Sequence, residues 1–483
     1  MTGLGKRRPA RSRSGVSGLR ERRQPASVER SAGSEGRREL VIQGLAHDGR
    51  GVARDVDGKT VFVEGALPGE RVQASVHRRR KRFDEAHVSE VIAASASRVA
   101  PPCRHYGSCG GCDLQHLSLE AQRDHKREVL RELLARQGIE LPGASSLLAD
   151  AGEGYRRRAR IGVRVDSNGQ VRLGFRARHS HRLVDLDDCP VLLPALSSLL
   201  RPLREQVESL EAPRHVGHLE LLASDGAVTL VVRQLREHVA DQRRWRAFAE
   251  AQGLHLGAWL GRESPRFEWL TPPPALHCRL TAGRRTLVLG LEPSDFLQAN
   301  EAVNQRMVDT ALSWLAPSLS PAAPGTRVLD LFAGIGNFSL PLATQGAEVT
   351  AVEGNVAMVE RLADNAARNQ VAVTARQTDL NDADACRRLL AATAPEVLVL
   401  DPPRSGAEAL CRQLAEHPVP WVLYISCDPA TLARDAAWLV SAGYVVRRSA
   451  VADMFAHTSH LESMLLLEHP DSARRRQGAS TDG

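Results

Sequence analysis

Val328-Leu329-Asp330-Leu331-Phe332-Ala333-Gly334-Ile335-Gly336-Asn337-Phe338 is an apolar run that breaks into a glycine-rich turn. The run reads as a buried strand, and the glycines let the backbone bend tightly beside a ligand. Seventeen residues after Gly336, Glu353 closes the next apolar run, where a carboxylate can accept hydrogen bonds from two ribose hydroxyls. Taken alone, this pair fits NAD, FAD or S-adenosylmethionine, and a glycine turn without a ligand is common. From about residue 293 to 469 strand-like and helix-like stretches alternate with short connections. Such alternation predicts an α/β, Rossmann-like doubly wound parallel sheet.

Two further segments narrow the chemistry. In Asp401-Pro402-Pro403-Arg404-Ser405-Gly406 a strand ends in an acid and two prolines, which hold a rigid loop at the carboxyl edge of the sheet, placed to touch a base. Amine-methylating enzymes use similar loops, so the target atom stays open there. Tyr424-Ile425-Ser426-Cys427-Asp428-Pro429 decides it. Carbon 5 of a pyrimidine is a poor nucleophile, and a thiolate added at carbon 6 converts it into an enolate equivalent that attacks a methyl donor. The carbon 5 proton must then leave, which requires a base. Glu462, in Asp453-Met454-Phe455-Ala456-His457-Thr458-Ser459-His460-Leu461-Glu462-Ser463, directly before an apolar strand, is the candidate. The bland alternatives are a buried small hydrophobe at Cys427 and a solvated strand end at Glu462.

Cys103, Cys109, Gly110, Gly111 and Cys112 form a second constellation, with Cys189-Pro190 far downstream. Three close thiols and a distant Cys-Pro suit four irons. Zinc is the runner-up, because structural zinc sites pair two short-spaced knuckles and only one is present. Cys278, Cys386 and Cys411 read as packing residues.

Composition sets bounds on the rest. The chain has 483 residues, enough for two to four domains, and a formal net charge of +7, compatible with a polyanionic partner. Arginine supplies nearly all the positive charge beside four lysines, Lys6, Lys59, Lys81 and Lys126, a bias that genome composition also produces. No run of 18 apolar residues occurs, so no membrane span is expected, and eight unevenly spaced cysteines point to a reducing cytoplasm. Residues 1–36 read as a disordered basic tail, although an organellar transit peptide shares the Arg and Ser richness. Residues 470–483 read as a second disordered tail. Five short strands within 37–96 predict a small OB-like barrel. Its turn His77-Arg78-Arg79-Arg80-Lys81-Arg82, beside Phe83, reads as a nucleic-acid loop. Residues 97–292 form an α+β central region that opens with the cysteine loop and a charged helix around 119–137. There Tyr155-Arg156-Arg157-Arg158-Ala159-Arg160 offers either a stacking ring among cations or a salt-bridged strand end. Gln298, in Phe296-Leu297-Gln298-Ala299-Asn300, reaches a cofactor carboxylate or caps the next helix.

Together these segments, from about residue 38 to 468, resemble the RNA uracil-C5 methyltransferase family, and the barrel resembles a TRAM domain. The resemblance implies a class I methyltransferase domain over 293–469. It implies S-adenosylmethionine contacts from Gln298, Phe332, Asn337, Glu353, Asp379 and Asp401, Cys427 as nucleophile and Glu462 as base. It also implies a [4Fe-4S] cluster on Cys103, Cys109, Cys112 and Cys189. The TRAM domain with the cluster points to the bacterial type that modifies 23S ribosomal RNA, before or during assembly of the large subunit, as a cytoplasmic monomer. Transfer RNA as substrate and a non-catalytic ribosome-assembly factor are the alternatives. Three positions depart from the family pattern. Asp428 stands where Asn often follows the nucleophile, Ala456 where Pro often precedes the histidine, and Asp379 where Asn is also found.

Overall fold

A computed structural model describes residues 37–319 and 325–470. The tail expected at 1–36 and, after residue 470, the one expected at the C-terminus lie outside the described residues. The first body is a closed barrel of five strands, Arg37–Leu45, Gly51–Arg54, Thr60–Glu64, Arg71–Arg79 and Phe83–Ala93. Strand alternation turns every second side chain inward, so Leu40, Ile42, Val61, Val63, Val72 and Ala74 fill the interior. The basic run forms the exposed hairpin between the last two strands, where the Arg80 guanidinium lies 6.0 Å from the Phe83 ring centroid.

The barrel is fastened to the next segment through Glu70. This carboxylate is fully buried and accepts from Arg98 Nε at 2.5 Å, Arg98 Nη2 at 2.8 Å, the Leu67 amide at 2.8 Å and the Ser95 amide at 3.2 Å. A buried charge is tolerable when its lone pairs are filled in this way. Burial pushes the Glu70 carboxyl up, but the Arg98 bond and the two amides outweigh it and hold it below its ordinary value.

The middle of the chain builds a seven-stranded sheet in the order Arg266–Trp269, His255–Leu260, Ala227–Gln234, Val216–Ser224, Arg158–Val165, Val171–Arg176, Leu183–Asp185. Helices Leu200–Ser209 and Val239–Gln252 supply buried Leu203, Val207, Trp245 and Ala249 to its core.

The last body is an eight-stranded sheet. Val373–Gln377, Glu348–Glu353, Arg327–Leu331, Val397–Leu400 and Trp421–Ser426 run parallel in that order. Glu462–Glu468 and Val445–Ala452 follow, joined antiparallel, and Ser146–Leu148 lies parallel at the edge. All four residues of Val397–Leu400 and the last five of Trp421–Ser426 are buried, as expected for strands covered on both faces. The strand order reverses at Arg327–Leu331, and that reversal opens a crevice at the carboxyl ends.

Two pieces of this body come from the middle of the chain. Besides Ser146–Leu148, helix Leu119–Arg136 packs Val129, Leu130 and Leu134 into the same cluster as Leu432 and Leu439 of helix Pro429–Ser441. The region 97–292 therefore does not stand apart from the C-terminal sheet.

Arg98→Met should leave the Glu70 charge buried without its partner and destabilise the protein by about 3 kcal/mol in chemical denaturation. Because the Glu70 carboxyl is held low, the stability it contributes is present above the carboxylate's unfolded value and lost as pH falls through its folded value. The variant's acid-side loss should shrink accordingly; an unchanged midpoint and acid limb would show that Arg98 does not carry the joint.

Candidate active site

At the reversal point the chain leaves Arg327–Leu331 through Phe332, whose φ of +63° is a left-handed conformation that an aromatic residue rarely adopts. Strain of this kind costs on the order of 1–3 kcal/mol and gathers at functional positions. Gly336, at φ +101°, completes the bend in a conformation closed to other L-residues. Glu353 secures the turn by accepting from the Gly334 amide at 3.2 Å, and also from the Gly354 and Asn355 amides at 2.8 and 3.0 Å.

Gln298, Phe332, Asn337 and Asp401, four of the six expected cofactor residues, line one cleft. Glu353 and Asp379 close neighbouring strands instead of lining it. Asp379 is exposed just past Val373–Gln377, and its carboxylate accepts from the Asn381 backbone and side-chain nitrogens at 2.9 and 3.0 Å. Helix Glu301–Leu315 is capped by Asn300, whose Oδ1 accepts from the Val303 amide at 3.1 Å. Capping is thus not the role of Gln298, which is buried at the cleft wall while its carbonyl accepts from Arg157 Nε at 2.9 Å. Asn304 escaped the sequence reading, yet it holds Asn337 through reciprocal amide bonds of 2.8 and 3.0 Å. Its signal was a polar residue on the apolar stripe of Val303, Met307 and Val308.

The thiol arrives from the other side of Asp401. Trp421–Ser426 pairs antiparallel with Glu462–Glu468 and its last pair is Ser426 with Ser463, so one step further sets Cys427 against Glu462. Asp428 then caps helix Pro429–Ser441, its Oδ1 accepting from the Ala430 and Thr431 amides, both at 3.0 Å. Asn would cap equally well, which accounts for the departure at this position. Burial pushes the Glu462 carboxyl up to about 8, the Asp401 charge adding and Arg404 opposing. Burial likewise pushes the Cys427 thiol up to about 11, with Glu462 and Asp401 adding and Arg404 opposing. Asp401 itself is lifted to about 7 by burial and then by Asp330, which is raised to about 7 by its own burial. A thiol, a carboxyl able to carry or release a proton near neutrality and a cleft lined by Gln298, Phe332, Asn337 and Asp401 therefore meet on one sheet edge.

The basic stretch beginning at Tyr155 resolves as a strand-end brace. Tyr155 is buried and its hydroxyl donates to Ala456 O at 3.0 Å, so its ring is no stacking platform. Arg157 serves Gln298 O and lies 3.4 Å from Glu301, and Arg158 donates to Pro293 O at 2.7 Å. These cations are consumed by the fold.

Cys103, Cys109, Cys112 and Cys189 line a single pocket of about 230 Å³. Burial, reinforced by neighbouring thiols, pushes Cys112 up to about 12 and Cys189 up to about 11, and raises Cys109. Among the described residues no three His, Cys, Asp or Glu side chains close on one metal-ion position. The four thiols surround a volume instead of a point.

A family model described as tRNA (uracil-5-)-methyltransferase matches residues 118–470, and a TRAM domain model matches residues 36–88. A 23S rRNA (uracil(1939)-C(5))-methyltransferase RlmD from Halomonas elongata is 98% identical over 483 residues, covering 100% of both chains. Its counterpart in Chromohalobacter salexigens is 54% identical and covers 99% of this chain and 97% of its own. The crystal structure of a Pyrococcus abyssi tRNA (uracil-54, C5)-methyltransferase with S-adenosyl-L-homocysteine matches 90% of this chain and 100% of that chain, with TM-score 0.69 at 23% identity. That similarity establishes a common fold.

At pH 9, above the value to which Glu462 is raised, Glu462→Gln removes a negative charge beside the thiol and should speed alkylation of Cys427 by roughly threefold to tenfold. Peptide mapping after brief iodoacetamide treatment measures it. Equal rates in the two proteins would separate Cys427 from Glu462 electrostatically.

Proposed function

The chain belongs to the tRNA (uracil-5-)-methyltransferase family and is a methyltransferase of the uracil-C5 type; from that membership we propose that it methylates carbon 5 of a uridine in 23S rRNA, namely the uridine 1939 for which its 98%-identical relative is named. The observation that carries the mechanism is the pairing register that sets Cys427 against Glu462 beside Asp401.

Gln298, Phe332, Asn337 and Asp401 would hold S-adenosylmethionine, with Glu353 and Asp379 from the neighbouring strand ends, and the cofactor would supply an electrophilic methyl group there. Stacking shields both faces of the target ring, so the uridine must be extruded to reach Cys427. The Cys427 thiolate adds to carbon 6, and the displaced electron pair leaves carbon 5 nucleophilic toward the methyl group. Glu462 then takes the carbon 5 proton, the carbon 5–carbon 6 double bond reforms and the thiolate departs. Arg404, which lowers both the thiol and the carboxyl, favours the charged forms that these steps need.

Cys103, Cys109, Cys112 and Cys189 would hold a [4Fe-4S] cluster, whose iron would favour the thiolates against the burial that raises Cys109, Cys112 and Cys189. Its contribution is structural, ordering a loop beside the barrel. The exposed hairpin with Arg79, Lys81 and Arg82 suits the phosphates of 23S rRNA that is not yet fully assembled into its subunit. Among the described residues no helix is long and apolar enough to cross a membrane, and a monomer in the cytoplasm is the form we assign.

Cys427→Ala should bind unmodified 23S rRNA with near-normal affinity yet yield no 5-methyluridine; full activity would remove the thiol from the mechanism. Glu462→Gln should accumulate a covalent protein–RNA adduct, visible as a shifted band on denaturing gels, and brisk turnover without adduct would remove the base. Labelled methyl groups found only in tRNA would keep the chemistry and change the substrate. Cys189→Ser should lower bound iron and acid-labile sulfide well below four per chain after anaerobic purification, and unchanged content would reject the cluster ligand set.

A further inference from the structure

Between Asp453 and Ser459, just ahead of the proposed base, the backbone is held almost entirely by residues from the other end of the chain. Phe455 O accepts from Lys126 Nζ at 2.9 Å, Ala456 O from the Tyr155 hydroxyl, and His457 O from the amides of both Asp113 and Leu114 at 3.0 Å. The His457 amide donates to Gln122 Oε1 at 2.9 Å, and the Gln122 Nε2 is anchored on Leu114 O and Leu117 O. Asp113 adds its carboxylate, which accepts from the Ser459 amide at 3.0 Å and the Ser459 hydroxyl at 2.7 Å. Lys126, fully buried, pairs with buried Asp453 at 2.7 Å.

His457 itself sits at φ +67°, a conformation that persists only where its surroundings over-determine it. Those surroundings are Asp113, Leu114 and Gln122. Asp113 directly follows Cys112, and its own carbonyl accepts from the Tyr106 hydroxyl at 2.7 Å, inside the cysteine loop. From Ser459 only two residues, His460 and Leu461, separate the clamp from the start of Glu462–Glu468. The clamp therefore reaches the base through the short segment His460-Leu461.

We propose that Asp113 and Gln122 are positioning residues for Glu462. By fixing the strained turn at His457 they set where the last strand begins, and so the approach of the base to the carbon 5 proton. This inference rests on the reading of Cys427 as nucleophile and Glu462 as base. It assigns the segment after Cys112 to the second half of the reaction, the release of the adduct, and leaves its formation untouched. Asp113 also lines the open groove that His460, Arg50 and Arg178 share, so its loss must be separated from any effect on RNA binding.

The test uses the full-length holoenzyme and unmodified 23S rRNA. Asp113→Ala should lower kcat by about tenfold with KM for RNA within about twofold, and should accumulate the covalent adduct seen with Glu462→Gln. Asp113→Asn keeps an acceptor for Ser459 and should restore turnover. Gln122→Met, which removes the His457 acceptor at similar volume, should trap adduct too and serves if Asp113→Ala does not fold. Normal adduct release in both Asp113→Ala and Gln122→Met, with Glu462→Gln still trapping, overturns the positioning role alone. A lost kcat without trapped adduct, or failure of Asn to rescue, overturns it as well. Absence of adduct in Glu462→Gln itself removes the base assignment and this inference with it.

Discussion

The antiparallel join between Trp421–Ser426 and Glu462–Glu468 governs the whole site. Five parallel strands bring only their carboxyl ends to the crevice, and four of them deliver a residue at or just past that end: Phe332, Glu353, Asp401 and Cys427. A strand running the other way brings its amino end to the same edge. Glu462 reaches Cys427 because its strand is reversed, and a one-residue slip in that register would turn every side chain of a fully buried strand to the opposite face. The cost of such a slip, with six consecutive buried residues, keeps the pairing fixed.

The same burial that fixes the register creates the electrostatics. Burial lifts Asp330, Asp401 and Glu462, and the charge of Asp330 raises Asp401 as that of Asp401 raises Glu462. Asp330 is held in part by the Ser339 hydroxyl at 2.5 Å, so the innermost carboxyl is occupied structurally while Asp401 lines the crevice. Carboxyls lifted toward neutrality can exchange protons at working pH, which ordinary surface carboxylates do not do. Neither the strand nor the charge arrangement could be changed without the other.

Local pattern carried much of this. The glycine turn after Leu331, the alternation of apolar runs and the five barrel strands are short-range features, and the structure contains them. The structure also brings together the four cleft residues, and sets Cys427 against Glu462, from segments far apart in sequence; Phe332, Asp401, Cys427 and Glu462 each sit at a strand end. What stayed illegible depends on contacts that span the chain. Nothing near Ser146–Leu148 says that three residues of the middle region pair with Val445–Ala452, and nothing near Tyr155 says that its ring is buried against the loop at Ala456. Composition left two readings open at Tyr155-Arg156-Arg157-Arg158-Ala159-Arg160 for the same reason: the strand-end brace is distinguishable from a stacking patch only once the acceptors of Arg157 and Arg158, Gln298 O, Pro293 O and Glu301, are supplied by tertiary structure.

That three-residue strand at the sheet's rim has a bearing on how the molecule is made. An outermost strand with unpaired amides is a template for other chains, and here it is shielded by a segment synthesised about three hundred residues earlier. During synthesis the early segment must wait for its mate, and such distant pairings are slow to form. A fragment that begins at residue 293 lacks both this strand and the helix Leu119–Arg136. It carries an open rim and a bare apolar helix face, the two surfaces through which nascent chains most readily associate with one another.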